Sequence, residues 1–153
     1  MIEYTYKKFQ NLTVDELYGI MKLRQEVFAV EQNCPYLDAN GKDIYAYHVM
    51  GKNETGIVQC CTRLLPEGVS YQGFISIGRV ANSQSIRGTG EGKMLMQYSI
   101  EKIKTLFPGY PIKIGAQQYL KRFYESLGFE DVNIPYLEDG IPHIIMTMHP
   151  TEK

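Results

Sequence analysis

Residues 87–93 read Arg-Gly-Thr-Gly-Glu-Gly-Lys and stand between a β-type run and a helical stripe of apolar residues. Glycine adopts positive φ without steric cost and lets the backbone approach a ligand closely. The first N–H groups of a helix have no partner inside the helix, and the helix dipole favours anions there. A strand, a glycine-rich turn and a helix start in this order therefore predict a phosphate-binding site. Arg87 would add a charge-assisted hydrogen bond.

The spacing of this loop separates it from two common phosphate-binding motifs. A Walker-type loop needs glycine at position 87 and serine or threonine at position 94, where this chain has Arg87 and Met94. A dinucleotide-binding fingerprint needs a third glycine at position 93, which is Lys93 here. The pattern present is Arg-x-x-Gly-x-Gly, ending in Gly90 and Gly92. On these residues alone, a solvated turn remains the alternative to a phosphate site.

The sequence around the loop predicts strands and helices in a mixed order. Residues 1–10 alternate as a strand does, and Thr13 with Glu16 forms the capping box of a helix that should end by Cys34. Further strands are predicted at 44–50, 57–65, 73–80, 111–116, 129–136 and 143–148, and further helices over 96–107 and 120–127. A meander followed by a β-α-β crossover predicts a mixed α/β sheet.

The composition is that of one globular domain covering residues 1–153. Apolar residues make up 44% and charged residues 22%, which excludes a disordered chain. Sixteen Lys and Arg against 17 Asp and Glu give a formal charge of −1, so no global positive field is available for nucleic acid or anionic lipid. Three cysteines, Cys34, Cys60 and Cys61, do not form a disulfide framework. Without zinc-type spacings, an apolar span or a signal-peptide core, we expect a cytoplasmic protein with no metal and no membrane segment.

The loop and its surroundings resemble the GNAT superfamily of acetyl-CoA-dependent N-acyltransferases. The resemblance continues in residues 116–124, Ala-Gln-Gln-Tyr-Leu-Lys-Arg-Phe-Tyr, followed by Gly128-Phe129. The N-terminal half is similar to the ElaA-type branch of that superfamily. The residues that carry this second similarity are Leu23, Arg24, Val27, Phe28, Val30, Glu31, Gln32, Cys34, Tyr36, Asp38, Asp43 and His48, with residues 63–66, 78–80 and 138–143.

The resemblance implies a twisted mixed sheet of about six to seven strands flanked by helices, with two central parallel strands, 74–82 and 111–116, that splay apart. Coenzyme A would lie in the splay, its pyrophosphate beside Arg87 on the backbone N–H groups of Gly88, Thr89, Gly90, Glu91, Gly92 and Lys93. The pantetheine would pair with the backbone of Val80 and Asn82. Gln117 stands where the family often has an asparagine that contacts the pantetheine, and Asn82 stands where an apolar residue is usual.

The reaction that the resemblance implies is direct attack of a primary amine on the acetyl-CoA thioester. An alkyl ammonium with a pKa of about 10.4 must lose a proton before it attacks, and the departing thiolate gains from a proton donor. Tyr124 is the family's usual donor, although by pattern alone it is a core tyrosine on an apolar helical stripe. Candidates for acceptor binding and for the general base lie at element ends or in loops, where each residue alone is more often an ordinary solvated or capping residue: Glu31, Asp38, Asp43, His48 and His143.

The acceptor itself is not named by the sequence. The segment 31–43 carries three acidic residues against one lysine, so if it lines the acceptor site it should attract a cationic amine or guanidino compound. We expect the acceptor to be a small-molecule or peptide amine. The protein itself is expected to be a monomer or a homodimer. The alternatives in other classes are a coenzyme A sensor without catalysis and a phosphate-ligand protein without coenzyme A. A thiol nucleophile built from Cys34 and His48 is a minor alternative, because direct attack needs no acyl-enzyme.

Overall fold

The computed structural model describes residues 1–151 of the chain. In chain order its elements are β1 Glu3–Lys8, α1 Val14–Arg24, β2 Tyr47–Lys52, β3 Val58–Leu65, β4 Ser76–Asn82, α2 Glu91–Leu106, β5 Ile112–Gln117, α3 Lys121–Ser126, β6 Glu130–Glu138 and β7 Ile141–Met148. Seven strands and three α-helices over this range confirm the mixed α/β fold class. No helix in this part of the chain is both long enough and apolar enough to cross a membrane.

The strands form two antiparallel sheets that meet side by side. The first has the order β1-β2-β3-β4 and the second the order β5-β7-β6. They join through a parallel bridge between Ile75 and Ile112. Around this bridge the Ile75 N–H donates to the Pro111 carbonyl at 3.0 Å, and the Lys113 N–H donates to the Ile75 carbonyl at 2.9 Å. Beyond it β4 and β5 form no further ladder, so two parallel central strands splay apart as predicted.

A β-bulge in β4 accounts for this divergence. Cys61 pairs with Ala81 and Arg63 pairs with Gly78, so β4 carries one more residue than β3 between the two pairs. Arg79, inside the bulge, has a φ of 49°. An extra residue of this kind bends its strand and increases the local twist. The bend turns β4 away from β5 at the point where the cleft begins.

Helices cover both faces of the first sheet. Successive residues of β3 point to opposite sides, so Cys60 packs in the cluster with Leu95 and Met96 of α2, whereas Cys61 packs with Ile20 and neighbouring residues of α1. Both cysteine side chains are fully enclosed. Burial raises the pKa of each thiol to about 12, which agrees with a packing role for these two residues.

The capping box that begins α1 is confirmed, and so is the helix end before Cys34, but the last part of the helix is not α-helical. The Glu16 N–H donates to Thr13 Oγ1 at 3.1 Å, and the Thr13 N–H donates to Glu16 Oε1 at 3.0 Å. After Arg24 the helix widens into a π-helical stretch, Gln25–Glu31, and ends before Cys34. Apolar periodicity does not distinguish this wider turn from an α-helix. The stretch is placed beside the cleft, where π-helical segments are frequent.

Two strand boundaries were also wrong. The strand predicted at 44–50 begins only at Tyr47, because Asp43–Tyr45 forms a 3₁₀ turn in which the Ala46 N–H donates to the Asp43 carbonyl oxygen at 3.2 Å. Ile44 and Tyr45 are consequently exposed by 45% and 64%, so their apolar character did not indicate burial. The strand predicted at 73–80 runs instead from Ser76 to Asn82.

Candidate functional site

The separation of β4 and β5 opens a cleft of about 700 Å³. Its walls come from both strands, from the π-helical stretch after α1, from α3 and from the β6–β7 hairpin. The residues singled out from the sequence that line it are Glu31, Val80, Asn82, Arg87, Gly88, Gly92, Gln117, Tyr124 and His143. Three other candidates, Asp38, Asp43 and His48, are not among the lining residues.

The glycine-rich loop forms one end of the cleft and is open to solvent. Gly88 and Gly90 have φ values of 77° and 85°, a region that residues with a side chain rarely adopt. Gly90 is the N-cap of α2 and has no side chain to cap the helix, so the first turn presents its backbone N–H groups outward. Thr89 and Lys93 are exposed, and Glu91 is partly buried in the first turn. This loop has the geometry of an anion site at a helix of 16 residues.

Arg87 does not point freely into solvent but is held by Glu31. Its Nη1 donates to Glu31 Oε2 at 2.6 Å and its Nη2 donates to Glu31 Oε1 at 2.8 Å, a two-pronged pair. Nη2 also donates to the Asn82 carbonyl at 2.8 Å. The hydrogen bond from Arg87 lowers the pKa of Glu31, which is therefore a carboxylate at neutral pH. The pair ties the π-helical stretch to the glycine-rich loop.

Tyr124 lies on α3 with its side chain only 6% exposed. Its ring packs edge-on against Phe123 and Phe129, with centroids 5.2 and 6.0 Å away. Burial raises the pKa of Tyr124 to about 12, so the phenol keeps its proton at neutral pH. The ring therefore belongs to the core, as the pattern predicts, and the residue also lines the cleft.

Three polar side chains stand in a row across the second sheet, where the cleft meets it. Gln117 of β5 pairs in register with His143 of β7, which pairs in turn with Tyr136 of β6. His143 is buried, and its Nδ1 lies 2.7 Å from the Ile141 carbonyl oxygen. A carbonyl only accepts, so Nδ1 carries the hydrogen and, in the neutral ring, Nε2 keeps its lone pair. The Glu138 carboxylate lies 3.6 Å from that Nε2.

The other predicted acidic and histidine candidates form hydrogen bonds within the protein and do not line the cleft. Arg24 donates to Asp43 Oδ1 at 2.8 Å and to Asp38 Oδ2 at 2.8 Å. Burial opposes ionisation of Asp43, but the hydrogen bonds and charges of Arg24 and Arg63 outweigh it and lower the Asp43 pKa. His48 is 1% exposed, with Nε2 3.0 Å from the Asp43 carbonyl oxygen, and burial lowers its pKa. We therefore do not retain Asp38, Asp43 and His48 as acceptor-binding residues.

Several lining residues were not chosen from the sequence as site residues: Lys42, Arg63, Tyr71, Arg79 and Tyr136. Arg63 had one available signal, since it is the single charge within an otherwise uncharged strand. Gly115 of β5 also has a role, because a side chain there would overlap the Tyr136 hydroxyl oxygen. Among residues 1–151 no group of three or more His, Cys, Asp or Glu side chains is arranged to hold a metal ion.

The chain is similar in sequence and in structure to known acetyltransferases and their relatives. A family model described as an acetyltransferase (GNAT) domain matches residues 68–150. Protein ElaA of Escherichia coli is 39% identical over 148 residues, covering 95% of both chains, and its crystal structure superposes with a TM-score of 0.90 over 97% of this chain and 100% of ElaA. An acyl-CoA N-acyltransferase from Pseudomonas aeruginosa is 38% identical, with a TM-score of 0.88 over 95% of this chain and 99% of that one. An aminoglycoside 6'-N-acetyltransferase complexed with coenzyme A, 14% identical, shares the fold with a TM-score of 0.72 over 97% and 99% of the two chains.

Proposed function

This chain belongs to the GNAT acetyltransferase family, and from that premise we propose that it is an acetyl-CoA-dependent N-acetyltransferase acting on a primary amine. The observation that carries the proposal is the cleft between β4 and β5, with an open helix start at one end and a buried, protonated tyrosine in its wall. We also propose a cytoplasmic site of action, because Cys34, Cys60 and Cys61 are free thiols.

The loop and β4 supply groups that fit coenzyme A. The backbone N–H groups of residues 88–93 would bind the diphosphate at the positive end of the α2 dipole. Arg87 would exchange Glu31 for a phosphate oxygen. The pantetheine would lie along Val80 and Asn82 of β4 and reach Gln117. Asn82 supports this, because its Oδ1 is buried without a hydrogen-bond partner among residues 1–151 and can accept from an amide N–H.

In the proposed chemistry the amine loses a proton before the acyl transfer, and the departing thiolate gains a proton as the transfer is completed. The amine nitrogen attacks the thioester carbonyl carbon after its proton passes to His143 Nε2, whose lone pair is left free by the Nδ1 contact. Backbone N–H groups freed by the β4 bulge would polarise the carbonyl oxygen. The C–S bond then breaks, and Tyr124 donates its proton to the departing sulfur. The second proton, still on the acylated nitrogen, leaves as the amide forms and restores the Tyr124 phenol, so that the amide nitrogen keeps one hydrogen. The acceptor would be a small molecule or a peptide amine.

The test of this function is the release of free thiol from acetyl-CoA in the presence of a panel of amines, together with calorimetric binding of acetyl-CoA. We expect Tyr124→Phe to lower kcat by about 100-fold, a typical contribution of one acid catalyst. The Kd for acetyl-CoA should stay within about twofold, since the phenol acts on the leaving group. Tyr18→Phe is the matched control, because Tyr18 is 72% exposed on α1.

Three other outcomes of these assays would contradict part or all of the proposed function. Unchanged turnover in Tyr124→Phe would remove Tyr124 from the mechanism. Binding of acetyl-CoA without thiol release from any amine would favour a coenzyme A sensor without catalysis. A thermal shift with ATP or NAD but not with acetyl-CoA would favour a phosphate-ligand protein of another kind.

A further inference from the structure

In one wall of the cleft, buried and partly buried arginines outnumber the aspartates that pair with them. We call the group of Arg24, Arg63, Arg79, Asp38 and Asp43 the arginine cluster. Arg63 Nη1 lies 3.1 Å from Asp43 Oδ1, and Arg79 Nε lies 2.8 Å from Asp38 Oδ1. With the two contacts of Arg24 described above, three guanidinium groups share two carboxylates. The cluster therefore holds one positive charge more than it neutralises.

This excess charge lies in a poorly solvated region that borders the cleft. Arg24 and Arg63 are 1% and 4% exposed. Burial and the charge of Arg79 lower the pKa of Arg63, even though Asp43 opposes the change. Lys42 lies beside the cluster, with Nζ donating to Ser70 Oγ at 2.8 Å, and burial with the charges of Arg63 and Arg79 lowers its pKa. These three cations, Lys42, Arg63 and Arg79, all line the cleft.

Two further carboxylates line the same region, and neither forms an ion pair with an arginine of the cluster, although the charge of Glu138 opposes the lowering of the Lys42 pKa. Glu138 and Asp139 come from the β6–β7 turn and are exposed to solvent. The Glu138 side chain is 54% exposed and approaches His143, at 3.6 Å. Exposed charges are screened by water and contribute little to the field inside a cleft. The inner wall therefore remains positive.

An unused hydrogen-bond donor lies in this wall. Nε of Arg63 is buried and has no partner in the part of the chain that the structure describes. Nε of Arg79 lies close to Asp38 but at an angle that forms no hydrogen bond. A buried donor without an acceptor destabilises the protein, and more so when the donor is charged. A guanidinium matches carboxylate and phosphate oxygens in both charge and shape.

We propose that the acceptor carries an anionic group, a carboxylate or a phosphate, which binds at Lys42, Arg63 and Arg79 while its amine lies near Tyr124. The inference rests on the proposed function and adds the class of acceptor. It reverses the cationic acceptor expected from segment 31–43. The reason is that Glu31 pairs with Arg87 and the two aspartates pair with arginines, so the acidic residues of that segment are already neutralised.

The first experiment compares amines that differ only at the far end. Four series of increasing chain length are assayed with acetyl-CoA: ω-amino acids, ω-aminoalkyl phosphates, plain alkylamines and α,ω-diamines. We expect the best anionic acceptor to exceed the alkylamine and the diamine of equal length by at least about tenfold in kcat/KM. The carboxylate and phosphate arms then show which anion is preferred. Equal or better turnover of the plain amines or the diamines would overturn the proposal.

The second experiment uses Lys42→Gln, because Lys42 is only partly buried, unlike Arg63, and its loss leaves the arginine cluster intact. We expect the KM for the best anionic acceptor to rise about five- to tenfold, with kcat/KM for the plain alkylamine within about twofold of the native value. Lys104→Gln, a change at an exposed position on α2 outside the cleft, is the matched control. An equal effect of Lys42→Gln on both acceptors would contradict the proposal.

A binding measurement separates this proposal from the proposed function. The protein saturated with coenzyme A is titrated calorimetrically with the ω-amino acids and with the matching alkylamines. Binding of the amino acid that Lys42→Gln weakens supports an anion site, whether or not thiol is released. Absence of that binding overturns the anion site. Absence of thiol release with every amine counts against the transferase function alone.

Discussion

The pair between Glu31 and Arg87 makes a testable prediction about coenzyme A affinity. The same guanidinium that should bind a phosphate is already bound to a carboxylate at 2.6 and 2.8 Å. A diphosphate must therefore compete with Glu31 for Arg87. Replacing Glu31 with glutamine removes the competing charge and leaves the guanidinium in place. We expect Glu31→Gln to bind acetyl-CoA more tightly than the native protein.

The magnitude follows from the exposure of the pair. The side chains of Arg87 and Glu31 are 39% and 32% exposed, so solvent screens their interaction. A pair of this kind contributes about 0.5–1 kcal/mol, which corresponds to a Kd about two- to fivefold lower in Glu31→Gln. Removing the cation has the opposite sign: Arg87→Met loses a charge-assisted contact and should raise Kd by about tenfold. In the double variant Glu31→Gln should no longer lower the Kd appreciably, because the Arg87 guanidinium that it frees is absent.

Isothermal titration with acetyl-CoA at one fixed ionic strength measures all four proteins. Glu101→Gln, a change at a 70% exposed side chain on α2, is the matched control for the loss of a negative charge. The Arg87 hydrogen bond lowers the pKa of Glu31, so the difference between native and Glu31→Gln should be complete at neutral pH and vanish only when the pH falls through that lowered pKa. Weaker binding by Glu31→Gln would refute the competition and would make Glu31 part of the coenzyme site.

Two further predictions concern stability. Gly115→Ala should cost about 1–3 kcal/mol in urea unfolding, because the new methyl overlaps the Tyr136 hydroxyl oxygen. Adding Tyr136→Phe should recover most of that loss, since the Tyr136 Cζ atom lies 3.3 Å from the methyl position; strictly additive losses would contradict the steric account. Burial opposes ionisation of Glu16, but hydrogen bonds led by Lys52 lower its pKa from 4.5 to about 2. Its contribution is therefore present above pH 4.5 and lost as the pH falls towards 2. Glu16→Gln should cost about 3 kcal/mol at neutral pH, and a cost independent of pH would exclude this linkage.

Features that depend on neighbours in the chain could be predicted from the sequence. The capping box joins Thr13 and Glu16 within one turn, so its two hydrogen bonds follow from the spacing alone. The positive φ values of Gly88 and Gly90 belong to a short turn before a helix, and glycine is the residue that such a turn requires. Motifs at both central strands likewise carried the resemblance to the family, and that resemblance implied the splayed sheet.

Features that depend on partners far along the chain could not. Glu31 meets Arg87 across 56 positions of sequence, and Asp43 meets both Arg24 and Arg63 only because a 3₁₀ turn, a helix and a strand converge. The residue types of the cleft were visible in the sequence, whereas the sign of the charge at its proposed acceptor end was not. That sign depends on which charges are paired, and pairing at this range is decided by strand register, the β4 bulge and the π-helical stretch. The sequence shows three acidic residues in segment 31–43. In the tertiary structure each of them pairs with an arginine, and the cations that line the cleft outnumber the carboxylates paired with them.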